Sequence, residues 1–195
     1  MKKSAKILCA VLALVLTLSV GIGGTLAFLS LKTGEVKNTF TFGNLDLDLT
    51  EEHKGPFIFI PGQNLTKDPV VTVSTPEGYE QVPAYVFVKV VEGNWPNTEK
   101  ISYSVDSSWT ALESVDGVYY QEITPAKAPG TPLNVLTNKT VTVSPALTKS
   151  EVETLTASGK EATLTFTAYA IQKQGFGTAL EAWKEVSATA ELVTK

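Results

Sequence analysis

The chain is poor in the residues on which most enzymes and most small exported modules depend. Of its 195 residues one is cysteine and one is histidine. A single cysteine closes no loop within the chain, so a disulfide framework is excluded. A single histidine removes most routes to nucleophilic catalysis, because a Ser-His-Asp or Cys-His arrangement needs an imidazole held beside the nucleophile. His53 lies in the polar stretch "TEEHKG" and reads as a solvated loop residue. The H-E-x-x-H spacing of zinc hydrolases is also missing. Asp46, Asp48, Glu51 and Glu52 could offer oxygen to calcium. Asp46 and Asp48 alternate with leucines, however, and read as the wet face of a strand, and no EF-hand loop with its glycine is present. No catalytic residue, metal ligand or cofactor is therefore expected. Lys/Arg clusters are absent as well, and with a formal charge of −4 nothing offers the basic footprint that nucleic acid requires.

A long hydrophobic run is present only at the start. Lys2, Lys3 and Lys6 precede "ILCAVLALVLTLSVGIGG", which leads into "TLA" with the small residues Thr25 and Ala27. That is the layout of a secretory signal cut between Ala27 and Phe28. The alternative is a retained anchor, since Ile7 to Leu31 is long enough to cross a bilayer. The chain then meets the membrane only through the uncleaved segment. Cleavage removes Cys9 and three lysines, leaving 168 residues with a formal charge of −7 and no cysteine. This is one domain, large enough for a real core, and stable by packing and hydrogen bonding alone.

The rest of the chain is dominated by short β-branched and aromatic runs. "PFIFI", "DPVVTVS", "AYVFVKVV", "KISYSV", "GVYYQEI", "KTVTVSP" and "EATLTFTAYAIQK" are separated by Pro, Gly, Asn and Asp. Their number predicts an all-β, jelly-roll-like antiparallel β-sandwich. In "AYVFVKVV" Val86, Val88 and Val90 share one face and Tyr85, Phe87 and Lys89 the other, the pattern of a central strand covered on the valine side. Two short helices interrupt the strands. Ser150 with Glu153 and Thr178 with Glu181 match the capping box. The first helix is expected to stop by Gly159 and the second near Glu185, burying Leu180 and Trp183. "PAKAPGTPLN" is too rich in proline for a central strand and reads as a loop. Among Trp95, Trp109 and Trp183, only Trp95 in "GNWPN" looks loop-exposed.

The stretch "TFTFGNLDLDLTEE", Thr39 to Glu52, contains two alternating runs whose apolar faces disagree across Gly43 and Asn44. Because the side-chain period of a strand is two, such a shift marks a bulge, a kink or a join between two strands. Cleavage before Phe28 frees an extended segment carrying Phe28, Leu29, Leu31 and Val36, and a free extended chain is what strand addition to a sheet edge requires. The expected organisation is a signal helix at 1–27, an N-terminal arm or donor strand at 28–43 and the sandwich domain at 44–195. The alternative to donation is that Phe28 to Phe42 folds back as an edge strand of its own subunit or stays disordered, as termini often do. The arm leaves the domain at Gly43 and Asn44, and the domain's own first strand begins at Leu45.

Taken together, "GIGGTLAFLS", "NTFTFGNLDLDLTE", "FIPGQNLTKDPVVTV" and "AYVFVKV", in this order, resemble the TasA and camelysin family of exported Gram-positive proteins. "FTAYAIQKQGFGTALEAW" is similar to the closing strand and helix of clostridial members. The chain is shorter than the TasA matrix protein and lacks its long lysine-rich insertions. The resemblance implies processing by a signal peptidase of the SipW type and a place on the cell surface or in the biofilm matrix. It also implies fibres in which each subunit lends an N-terminal strand to the next, with other matrix proteins as further partners. Camelysin-like relatives are described as casein-cleaving metalloproteases, but no ligand set for that activity carries over to these residues. The alternatives to a structural protein are therefore a surface metalloprotease of that kind and a carbohydrate-binding or surface-binding jelly roll.

Overall fold

The computed structural model describes residues 38–42, 45–53, 57–124, 130–157 and 161–193. Their elements run β1 (Asn38–Phe42), β2 (Asp46–Thr50), β3 (Asn64–Thr66), β4 (Val70–Ser74), β5 (Ala84–Gly93), β6 (Ile101–Val105), β7 (Thr110–Ala111) and β8 (Val118–Ile123). They continue with β9 (Pro132–Asn134), β10 (Leu136–Val143), α1 (Lys149–Leu155), β11 (Thr163–Gln172) and α2 (Ala179–Val193). The strands form three sheets, ordered β1-β11-β5-β8-β7, β3-β10-β6 and β2-β4-β9. Every pairing is antiparallel except β1 with β11. The expected all-β sandwich with two helices is the fold observed.

The architecture centres on β5 and β11, which pair along their full ten-residue lengths from Thr163↔Gly93 to Gln172↔Ala84. Alternation sends Val86, Val88 and Val90 of β5, with Leu164, Phe166, Ala168 and Ala170 of β11, into one core. There they meet Leu49 from β2, Val71 and Val73 from β4, Ile101 from β6, and Val141 and Val143 from β10. Each of the larger of these side chains contributes about 1.5–3 kcal/mol on leaving water and the alanines less, so the layers are held by many small terms. The opposite face of the same ladder changes character along its length. In β11 it carries Thr163, Thr165 and Thr167 first and then the buried Tyr169 and Ile171.

Helix α2 lies over that apolar end. Ala179, Ala182, Trp183 and Val186 form a second core with Tyr85, Phe87, Tyr169 and Ile171. The Trp183 ring sits 5.4 Å from Phe87 and meets Tyr169 edge-on at 4.9 Å. The Tyr85 and Phe87 end of that β5 face is therefore covered as well, while Lys89 and Val91, further along it, reach solvent. At the start of α2 the Thr178 hydroxyl accepts from the Glu181 N–H at 3.2 Å, and the Glu181 carboxylate accepts from the Gly177 N–H at 2.9 Å. The helix runs to Val193 and not only to Glu185, because "SATAELV" contains no breaker and several good helix formers.

Three further expectations are corrected. The first helix is capped by Thr148 and Glu151, two residues before Ser150 and Glu153. Leu147 and Val152, flanking that cap, both join the sandwich core in the manner of a hydrophobic staple, and this fixes which threonine or serine serves as cap. Phe57 to Ile60 of "PFIFI" joins no sheet: Phe59 is buried while Ile58 and Ile60 are exposed. The chain turns at once, with Gln63 N–H bonding to the Ile60 carbonyl and Gly62 N–H to that of Val143. "PAKAPGTPLN" holds the short strand β9, which opens on Pro132 at a sheet edge, where proline's missing N–H is tolerated.

Gly117 illustrates how tightly the central strand is held from its ends. It has a φ of +70°, and a Cβ there would lie 2.6 Å from the Val90 carbonyl oxygen. Its own carbonyl accepts the Val90 N–H at 2.7 Å.

Replacing Trp183 by alanine removes the side chain that pins α2 to the ladder. The expected loss is roughly 3–5 kcal/mol, the usual effect of truncating a buried aromatic, read as a lower urea midpoint with the β-sheet circular dichroism of the folded protein retained.

Candidate functional site

Two places in the fold carry features beyond packing. The first is the N-terminal edge of the largest sheet. β1 pairs in parallel with β11, from Asn38↔Thr167 to Phe42↔Ile171. β2, which follows after Gly43 and Asn44, pairs instead with β4 in another sheet, Asp46↔Ser74 to Thr50↔Val70. The two alternating runs of "TFTFGNLDLDLTEE" are thus separate strands with different partners. The cleavage residues Thr25, Ala27 and Phe28, the arm residues Phe28, Leu29, Leu31 and Val36, and the junction Gly43 and Asn44 lie outside the described residues.

The second place is the mouth of the β2–β4 ladder. Since Thr50 faces Val70, the residues that continue β2, 51–53, run beside those that precede β4, 67–69. The sequence there is Glu51, Glu52 and His53 against Lys67, Asp68 and Pro69. Lys67 and Asp68 are both buried. The Lys67 ammonium lies 2.6 and 2.7 Å from the two Glu51 oxygens and over the rings of Phe57 and Phe166, 5.3 and 5.6 Å from their centroids. A lysine in this position is tolerated because a carboxylate and two π faces replace its water.

Asp68 is 4% exposed in its side chain and His53 57%. The carboxylate accepts the His53 backbone N–H at 3.0 Å and contacts the imidazole Nδ1 at 2.9 Å. Burial pushes the Asp68 carboxyl up, but the two His53 contacts outweigh it and hold the group below its ordinary value of 3.8. The stability from these contacts is present above that value and lost as pH falls through the lowered one. One donor atom each from Glu52, His53 and Asp68 lies within 4.8 Å of the other two.

His53 is exposed in a loop, as expected, and is in addition held there by Asp68. Asp46 and Asp48 occupy the exposed face of β2 as expected, and Glu51 is committed to Lys67, so the four acidic groups do not converge. Asp68 and Lys67 are the residues that sequence reasoning missed. No local signal marks them, since "TKDP" between two strands has the composition of a loop; the ladder register would have found them.

The tryptophans give no shared platform for a sugar. Trp109 is in the sandwich core, with its indole N–H donating to the Asn134 carbonyl at 2.8 Å, and the Trp183 side chain packs from α2 into the second core. Trp95 is half-buried, stacked edge-on against Tyr103 at 5.7 Å. It borders a cavity of about 30 Å³ with Phe57, Phe59, Leu65 and Leu164, too small for an organic ligand, and also an open depression of about 390 Å³ shared with Glu92, Tyr103 and Tyr119. Tyr103 donates to Glu92 at 2.8 Å, and burial together with this carboxylate pushes its phenol up. No helix among the described residues is long and apolar enough to cross a membrane. No protein-family model, curated protein or solved structure matches the chain.

Breaking the Lys67–Glu51 pair from one side leaves the other charge buried alone. Glu51→Leu or Lys67→Met is expected to lower stability by about 3 kcal/mol or more, whereas the double replacement Glu51→Leu/Lys67→Met recovers much of that loss. Urea unfolding of the three variants and the parent measures the coupling.

Proposed function

We propose that the chain is an exported structural protein of the cell surface or biofilm matrix, without enzymatic activity, that assembles into fibres by lending its N-terminal strand to the next subunit. The observation that carries this reading is the place of β1 at the edge of the largest sheet, next to β11 and in a different sheet from β2. The resemblance of the sequence to the TasA and camelysin family supports it.

A strand so placed can leave β11 without touching the β5–β11 ladder. The edge it vacates offers a row of N–H and C=O groups for an equivalent strand of a neighbour, register for register. The donor, residues 28–43, and the acceptor, the β11 edge, are different surfaces. The contact is then head-to-tail and continues as a filament. Burial of three or four large apolar side chains of the arm supplies roughly 5–12 kcal/mol against an association cost of about 4–15 kcal/mol. The β1–β11 ladder bonds form whether the strand belongs to the same chain or the next and largely cancel, so burial of the arm is set against the association cost and assembly depends on concentration. An uncleaved signal segment tethers the donor at the membrane, so processing by a SipW-type peptidase precedes assembly.

The chain after residue 27 has no cysteine, which allows a direct test. Thr41 and Ala170 are Cα partners in the β1–β11 register, so Thr41→Cys/Ala170→Cys places two thiols where a disulfide can lock β1 onto its own subunit. Electron microscopy of the processed protein at rising concentration is expected to show filaments for the parent, none for the oxidised monomeric variant and filaments again after reduction. Filaments from the internally locked protein, or a parent that stays monomeric at every concentration, would refute the exchange.

A further inference from the structure

We infer that the mouth of the β2–β4 ladder is a binding site for one divalent transition-metal ion, held by His53, Asp68 and Glu52. This goes beyond the structural role proposed above and does not depend on it. The site is built from both sides of one ladder. With Thr50 opposite Val70, the next residues outward bring Glu52 and His53 alongside Asp68, and their donor atoms fall within 4.8 Å of one another. Asp68 forms the fixed floor, buried and held by the His53 backbone N–H on one oxygen at 3.0 Å. Its other oxygen and His53 Nδ1 are 2.9 Å apart, close to the spacing of two neighbouring ligands on an ion with bonds of about 2.0–2.2 Å. The Glu52 side chain is exposed and reaches the ion by rotation about its own bonds.

The charges fit as well. Glu51 and Lys67 neutralise each other beside the site, so Glu52 and Asp68 leave two negative charges next to an imidazole, which matches a dication. An imidazole nitrogen with two carboxylates suits Zn²⁺, Mn²⁺, Fe²⁺ or Co²⁺ better than Ca²⁺ or Mg²⁺, which prefer all-oxygen shells. When Nδ1 is the ligand, the ring proton rests on Nε2, and the contact that joins His53 to Asp68 passes through the metal. Three protein donors and an exposed rim leave at least one position for water.

The test uses tag-free, chelator-treated protein titrated with ZnCl₂, MnCl₂ or CaCl₂ in a calorimeter, with Co²⁺ d–d absorption as a second readout. Zn²⁺ is expected to bind at one equivalent per chain and more tightly than Ca²⁺. His53→Gln is expected to weaken Zn²⁺ binding and the Co²⁺ signal by at least about tenfold, the scale on which altering a metal's ligand surroundings acts. Glu52→Gln is expected to weaken both, and Asp46→Asn, on the outer face of β2, neither. Circular dichroism shows whether His53→Gln is folded, and Glu52→Gln decides alone if it is not. Absence of saturable one-to-one binding would overturn the assignment. So would undiminished binding in Glu52→Gln or in folded His53→Gln, or an equal loss in Asp46→Asn.

Discussion

The pairing of β5 with β11 is the constraint from which the rest of the molecule follows. It is the longest ladder in the fold, and it is covered on both faces over half its length. One face builds the sandwich core with strands from the other two sheets, and the other receives α2. Two hydrophobic cores thus share a single backbone layer, so the register of this pair sets the position of both. A slip by one residue would carry Val86 and Val88 toward the helix and Tyr85 and Phe87 into the sandwich. The side-chain volumes at the two interfaces rule this out: small Ala168 and Ala170 lie between the sheets, and the aromatic Tyr169 lies under Trp183. Specificity here comes from the matching of size to layer, as close-packed interiors require.

The sequence carried this centre in readable form. "AYVFVKVV" and "TLTFTAYAIQ" are rich in β-branched and aromatic residues and contain no breaker, and in each the apolar character extends to both faces at one end. That end is where the helix packs, although composition alone does not say which element supplies the cover. The elements misread from sequence share a physical cause. "PFIFI" has the period of a strand, but period reports only that one face is buried, and a ladder needs a neighbour whose identity is a tertiary fact. Two overlapping threonine or serine and glutamate pairs, Thr148 with Glu151 and Ser150 with Glu153, satisfy the same local rule for the cap of α1. Burial of Leu147 chooses between them. β9 escaped notice because three residues beginning with proline carry no periodicity at all.

The ladder mouth was less legible for a different reason. Glu51, Glu52 and His53 read as solvent-loving, and so do Lys67 and Asp68. Each reading is right about the free residue and wrong about the pair. Charges that cannot be buried singly are buried with partners: Lys67 with Glu51 and the faces of Phe57 and Phe166, and Asp68 under the backbone N–H and ring of the exposed His53. The information is in the register between β2 and β4, which joins residues 15 and 16 positions apart. No window of sequence narrower than that contains both halves of the site.

The edge strand β1 follows from the same organisation. β11 is needed at the centre, so one of its flanks must be closed by whatever segment is left, and the segment available is five residues long and parallel. A parallel pair is slightly weaker per residue than an antiparallel one, while β2, only a few residues on, is fixed by an antiparallel ladder to β4 in another layer. The junction between them therefore separates a strand anchored by the domain from one anchored mainly by a sheet edge. For the proposed exchange this asymmetry matters more than the total strength of the contact. The same backbone bonds form whether the occupant of the β11 edge belongs to its own chain or to the next, so they largely cancel between the closed monomer and the fibre. What remains is the loss of freedom on association against the extra burial of the arm that precedes β1, and that difference changes sign with concentration.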